Sequence, residues 1–144
     1  MTSDTKPDIR MNEFIKKHHV LTLSTVQNNV PWSANCYYAY HDEKASFIFT
    51  SDDDTRHARE MAENNLVAGS VVLETNEIGK IRGIQFQGYV EKTDSKKHKQ
   101  MYLKRFPFAA LMKTNLWILE ITYIKMTDNR LGFGKKLIWE RNKL

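Results

Sequence analysis

The sequence predicts a single α+β domain in which β-structure dominates, folded as a small antiparallel barrel or a strongly curled sheet. Three observations carry that expectation. Apolar and polar residues alternate in five or six separate segments, the period of half-buried strands. Short polar turns join the first three segments, as an antiparallel meander requires. Helical patterning is confined to stretches between strands, and closing the sheet would remove its exposed edges.

The elements follow in order. Residues 1–7 read as a frayed arm. Over residues 8–18, Ile9, Phe14 and Ile15 recur at roughly helical spacing, and Asp8 can cap the free N–H groups. Over residues 20–26, Val20, Thr22, Ser24 and Val26 share one face and Leu21, Leu23 and Thr25 the other, which predicts a half-buried strand. Gln27, Asn28 and Asn29 signal a tight turn, because Asn tolerates positive φ. A second strand carries Trp32, Tyr37, Tyr38 and Tyr40 over residues 31–40, a polar turn spans 41–45, and a third strand runs over 46–50. Asp52, Asp53 and Asp54 are expected to open a helix that ends near Asn64 and Asn65. A fourth strand follows at 66–73 and a fifth at 81–92, where Ile84 and Phe86 alternate with Gln85 and Gln87. Residues 94–106 read as a helix with Met101, Tyr102 and Phe106 toward the core. A sixth strand spans 116–126, and a short strand is expected at 136–140.

Composition bounds the function. The 144 residues are 41% hydrophobic and 27% charged, values of an ordinary globular chain, and one domain over 1–144 is expected. No apolar run approaches the roughly 20 residues that span a bilayer, and residues 1–14 lack the apolar stretch of a secretory signal. A cytoplasmic location without a membrane partner is expected. Cys36 is the single cysteine, which excludes an internal disulfide and a cysteine-based zinc site; as a buried thiol it acts as a small hydrophobe. His18, His19, His41, His57 and His98 show no metal-ligand spacing, and no metal is expected. There is no nucleophile elbow and no phosphate-binding P-loop, and Gly132-Phe133-Gly134 lacks the third glycine of a dinucleotide fingerprint.

Lysine and arginine exceed aspartate and glutamate by 22 − 17 = +5. The excess gathers in two clusters: Lys92, Lys96, Lys97, Lys99, Lys104 and Arg105, then Arg130, Lys135, Lys136, Arg141 and Lys143. Aromatic residues are not interleaved with the first cluster as stacking platforms, so a nucleic-acid partner is not expected, and a solvated helix face explains the charges.

The segment most suggestive of chemistry runs from Thr50 to His57. Hydroxyls at a strand end, Thr50 and Ser51, precede a helix start formed by Thr55, Arg56 and His57. Free helix N–H groups and a planar guanidinium together suit a phosphate. The three preceding aspartates oppose a bare anion site, and a capped surface helix with Arg56 paired to a nearby carboxylate explains the same residues. Both readings fit these residues.

The order VLTLSTV, turn, PWSANCYYAY, SFIFTSDDDTRHAREMAENN and GIQFQGYVEK resembles the FMN-binding split-barrel superfamily of pyridoxamine 5'-phosphate oxidase, over residues 8–140, and in particular a small bacterial branch of it. The resemblance implies a six-stranded antiparallel split β-barrel with flanking helices, FMN as cofactor, and a homodimer with the flavin at its two-fold interface. Phe49-Thr50 and Thr55-Arg56-His57 fall where the oxidases hold the flavin phosphate and ribityl chain, with Ser51 between them and His57 in place of a lysine. Ser33 and Asn35 stand in the region where the oxidases carry flavin-contacting Arg and Lys. Gln85 and Gln87 lie on the strand that supplies a flavin-contacting Gln. Near the C-terminus the oxidases carry R-L-H-x-R; here Arg130 and Leu131 match, Gly132 replaces the histidine, and Lys135 stands in for the second arginine. Oxidation of pyridoxine phosphate is therefore not expected.

The resemblance implies a flavoprotein that exchanges electrons between reduced flavin and a small substrate, with no residue assigned as catalytic acid or base. The alternative is a non-enzymatic flavin or haem binding or storage protein on the same barrel, with His18, His19 or His41 as haem ligand. Trp32, Tyr37, Tyr38 and Trp117 are candidates for a dimer interface.

Overall fold

The computed structural model describes residues 6–142; the expected arm up to residue 5, and Lys143, lie outside them. The chain order is α1 (Ile9–Lys17), β1 (Val20–Gln27), β2 (Val30–His41), β3 (Ser46–Ser51), α2 (Arg56–Glu63), β4 (Leu66–Val72), β5 (Arg82–Lys92), α3 (Lys96–Arg105), β6 (Asn115–Asp128) and β7 (Lys136–Glu140). The strands lie in the order β3-β2-β1-β4-β5-β6-β7, and β3 also pairs with β6. Six antiparallel strands thus close a barrel, and β7 is added alongside β6.

The first hairpin shows how the sequence sets the register. Asn28 and Asn29 both take positive φ, 52° and 62°, so two residues turn the chain and Gln27 pairs with Val30. Every later pair in the ladder follows, down to Val20 opposite Tyr37. Leu21, Leu23 and Thr25 are thereby aimed inward and buried, while Val20, Thr22 and Ser24 face out. The core they enter is aromatic and aliphatic: Tyr38, Phe47, Phe49, Phe86, Leu119 and Ile124 are all buried there. Tyr38 and Trp117, candidates for an interface, belong to this core at 0% and 3% exposure.

Each helix is placed by one stripe. Helix α1 buries Met11, Phe14 and Ile15, which stand at i, i+3 and i+4, so Ile9 falls off the stripe and is 69% exposed. Asp8 caps it as expected, accepting from Arg10 N at 2.8 Å. Helix α2 begins later than the aspartate run suggests. Thr55 is its cap, with Oγ1 accepting from Ala58 N, and Asp52–Asp54 form the turn before it. Asp53 of that run pairs with Lys92 of β5 at 2.9 Å. Helix α3 lies on the outer face of β2 and β3, where Tyr102 packs with Ala39 and Ile48. Arg105 at its end donates to the carbonyls of Lys16 and His18, binding α3 to the end of α1. Among the described residues no helix is long and apolar enough to cross a membrane.

Candidate functional site

Strand alternation divides the ten site candidates into separate places. Adjacent strand residues face opposite sides of a sheet. Ser51 therefore turns inward, where its Oγ meets His57 Nε2 at 2.8 Å beside buried Cys36. Thr50 turns outward, where its Oγ1 lies 3.4 Å from Tyr102 Oη. Tyr102 Oη also lies 3.4 Å from the Tyr37 carbonyl oxygen, to which it donates. Burial pushes the His57 pKa down, opposed in part by the Glu60 carboxylate, so the ring is neutral at pH 7.

At the start of α2 the polar groups are already engaged. Thr55 Oγ1 donates to the Asp52 carbonyl at 2.8 Å as well as capping the helix. Arg56 Nε donates to Glu60 Oε2 at 2.8 Å, and the guanidinium stacks 4.2 Å from the centre of the Trp32 ring. Glu60 is 4% exposed, and its other oxygen accepts from Thr25 Oγ1 at 2.7 Å. The bond from Arg56, then that from Thr25, hold the Glu60 pKa below its usual value. Arg56 is thus paired to a carboxylate, while its two Nη groups carry no hydrogen bond among the described residues.

The other candidates lie on the outer face of the sheet. Cross-strand register places Asn35, Thr22, Ser70, Gln85 and Lys125 in one transverse row. The next row is Ser33, Ser24, Ala68, Gln87 and Tyr123. Thr22 Oγ1 donates to Asn35 Oδ1 at 3.1 Å, which fixes one amide edge. A shallow groove of about 450 Å³ runs across these rows between Ser24, Ser70, Gln85, Gln87 and Lys125. The structure therefore brings Ser33, Asn35, Gln85 and Gln87 onto one face and Ser51 together with His57, with Thr55 and Arg56 at the nearby helix start. Thr50 shares the outer side of β2 and β3 with Tyr37, beside a cleft of about 480 Å³ walled by α3 and residues 109–116.

Lys135 stands apart, exposed in the turn between β6 and β7, where its amide donates to the Gly132 carbonyl at 3.1 Å. In the same turn Arg130 is clasped by both oxygens of Asp128, at 3.0 and 2.8 Å, and Asp128 is 1% exposed. Gly132 has φ of +127°, a conformation that a histidine would strain to adopt. Of the histidines named as haem ligands, His18 is held by its bond to the Phe14 carbonyl at 2.8 Å, His41 is buried, and His19 is exposed. No cluster of three metal-type ligands occurs among the described residues.

Sequence reasoning left Thr22, Ser24, Ser70, Lys125 and Tyr102 out of the site. For the first three the signal existed, since a run of small polar residues on one strand face is unusual where apolar residues would otherwise gather. Tyr102 could not be found, because nothing local relates it to Thr50, fifty-two positions away.

A six-stranded antiparallel barrel with an added strand, three helices and a polar outer face is a split barrel. Residues 8–127 match the family described as pyridoxamine 5'-phosphate oxidase, and the chain belongs to that family. Over 134 residues it is 40% identical to a UPF0306 protein of Photorhabdus laumondii, covering 91% of this chain and 94% of that protein. Among solved structures it resembles a haem-binding protein from Mycobacterium smegmatis, with a TM-score of 0.71 and 16% identity, covering 85% of this chain and 52% of that one. It also resembles an FAD-binding protein from Mesorhizobium loti, with a TM-score of 0.69 and 15% identity over 83% of this chain and 93% of that one. Likeness at these identities establishes the shared fold.

Proposed function

We propose that the protein binds FMN on the outer face of its barrel, as a homodimer, and is a flavoprotein that exchanges electrons between reduced flavin and a small substrate. The observation that carries this reading is the pair of polar rows. An isoalloxazine edge alternates donors and acceptors, and the amides of Asn35, Gln85 and Gln87 can each give and take a hydrogen bond. Their neighbours Thr22, Ser24, Ala68 and Ser70 are short, so a flat ring can approach the strands. The free Nη groups of Arg56 and the hydroxyl of Thr50 are the donors available to a phosphate and ribityl chain. His57, neutral and bonded to Ser51, adds no charge there. When bound, the flavin supplies the redox chemistry; the residues of this chain hold and orient it.

The homodimer is supported by the same face. Val20, Tyr37, Leu66 and Tyr89 flank the polar rows and are 40–60% exposed, apolar side chains that a second copy would cover. A haem-binding reading draws on the fold neighbour from Mycobacterium smegmatis and rests on exposed His19.

Titration of FMN and riboflavin against the native protein and Arg56→Ala tests the proposal. FMN should bind about ten- to a hundredfold more weakly to the variant, the usual loss of a hydrogen bond to a charged group. Riboflavin, without the phosphate, should be unaffected. Equal losses for both ligands would mean that Arg56 acts through Glu60 and the fold alone.

A further inference from the structure

We infer that the face formed by α3 and the 3-10 turn after it docks on an anionic lipid surface. Charge sets this face apart. Between Asp94 and Glu120 the sequence has no acidic residue, yet it carries Lys96, Lys97, Lys99, Lys104, Arg105 and Lys113. Arg105 is spent on the carbonyls at the end of α1. The five lysines are exposed, and none has a carboxylate partner among the described residues. At about 100° per residue, Lys96, Lys97 and Lys104 fall within about 100° of arc. Buried Tyr102 lies on the opposite side of the helix, against the barrel. The cationic stripe is thus held rigidly outward.

The second observation is apolar and lies next to the first. The 3-10 turn Pro107–Leu111 follows α3 directly. Phe108 is 83% exposed, Leu111 85% and neighbouring Met112 60%. In a 3-10 turn residues three apart eclipse one another, so Phe108 and Leu111 project together. Ala109, on the other side, packs beside the Ala39, Ile48 and Tyr102 cluster and anchors the turn. Lys104 and Lys113 bracket the exposed apolar residues in sequence.

A bilayer surface matches both features at once. Its anionic headgroups attract lysines, and the acyl boundary beneath accepts apolar side chains while lysine stems reach back to the headgroups. A nucleic acid would match the charge alone: Leu111 and Met112 offer no stacking plane, and Phe108 is the single exposed ring in the segment. The sequence, lacking an apolar run long enough to span a bilayer, predicts no membrane partner, and its lysine cluster reads there as a solvated helix face; the exposure of Phe108 and Leu111 is what the structure adds.

Cosedimentation of the full-length protein tests this. The vesicles would be phosphatidylcholine alone or phosphatidylcholine mixed with phosphatidylglycerol, at low and physiological salt. Binding should favour the anionic vesicles at least about tenfold and weaken as salt screens the lysines. Lys96→Gln/Lys97→Gln/Lys104→Gln should lose at least about tenfold of that binding. Phe108→Ser/Leu111→Ser should lose the part that survives physiological salt. All five positions are exposed, and unchanged thermal melts would show that the variants remain folded. Three results would overturn the inference: equal binding to neutral and anionic vesicles, full binding by the lysine variant, or tighter binding to a single-stranded oligonucleotide than to the anionic vesicles at the same salt.

Discussion

Cys36 is the residue on which strand position and chemistry meet most plainly. It faces the core from β2, 5% exposed, and burial pushes its pKa up to about 11 despite the neighbouring Ser51 hydroxyl. At pH 8 only about one thiol in a thousand would then be thiolate. The native protein should react with a disulfide reagent at pH 8 many-fold more slowly than the urea-unfolded chain, followed by absorbance; equal rates would contradict the burial. This behaviour was legible in the sequence, since an aromatic-flanked cysteine inside an alternating strand has few other places to go. The fate of Arg56 was not. Its type and spacing suit a phosphate clamp and a salt bridge equally, and only the turn of α2 that sets Glu60 against Thr25 shows the pair that forms. Nor could the sequence show that Arg130, one of the two matches to the C-terminal oxidase signature, is clasped by buried Asp128.

At the scale of elements, close backbone approach sets the tightest limits. A Cβ on Gly88 would stand 2.3 Å from the Glu120 carbonyl oxygen, where β5 shifts register against β6. On Gly69 it would stand 2.3 Å from the Thr22 carbonyl oxygen and 2.4 Å from Phe86. Gly88→Ala and Gly69→Ala should each lower stability by about 1–3 kcal/mol, the usual range for overpacking, seen as a lower urea midpoint. Gly79→Ala, which meets nothing within 4 Å, is the control. Strand and helix positions were largely legible because periodicity reports them, and the paired asparagines of the first hairpin gave its register as well. Two starts of α2 were open in the sequence, the aspartate run and Thr55, because aspartate and threonine both cap helices; the bond from Ala58 N to Thr55 Oγ1 selects the second.

For the whole molecule, the histidines predict how stability responds to acid. Burial lowers the pKa of His57 and His41 in the folded chain. A lowered folded pKa means that the unfolded chain binds protons first as pH falls. Stability from these groups is complete above their unfolded pKa of about 6.5 and is lost as pH drops through the lowered folded values. Asp8, held at about 2 by its bonds from Arg10, behaves alike at lower pH, giving up its contribution only below the ordinary carboxylate range. The melting temperature should be flat from pH 8 to 7 and fall below about 6.5, and His57→Asn should reduce that fall. A melting temperature that rises as pH drops from 7 to 5 would reverse the assignment. Barrel closure was anticipated because meandering strands need their edges covered; the added strand β7 beside β6 was seen only as a short segment without a place.

FMN binding on the barrel's polar face can be read from one spectrum: the purified protein is offered excess FMN, free ligand is removed by gel filtration, and the absorbance is recorded. A retained flavin spectrum near equimolar with the chain is expected, in a species of about twice the 16.9 kDa monomer mass. A flavin-free protein, or one that ignores FMN and instead shows a Soret band when offered haem, would contradict it.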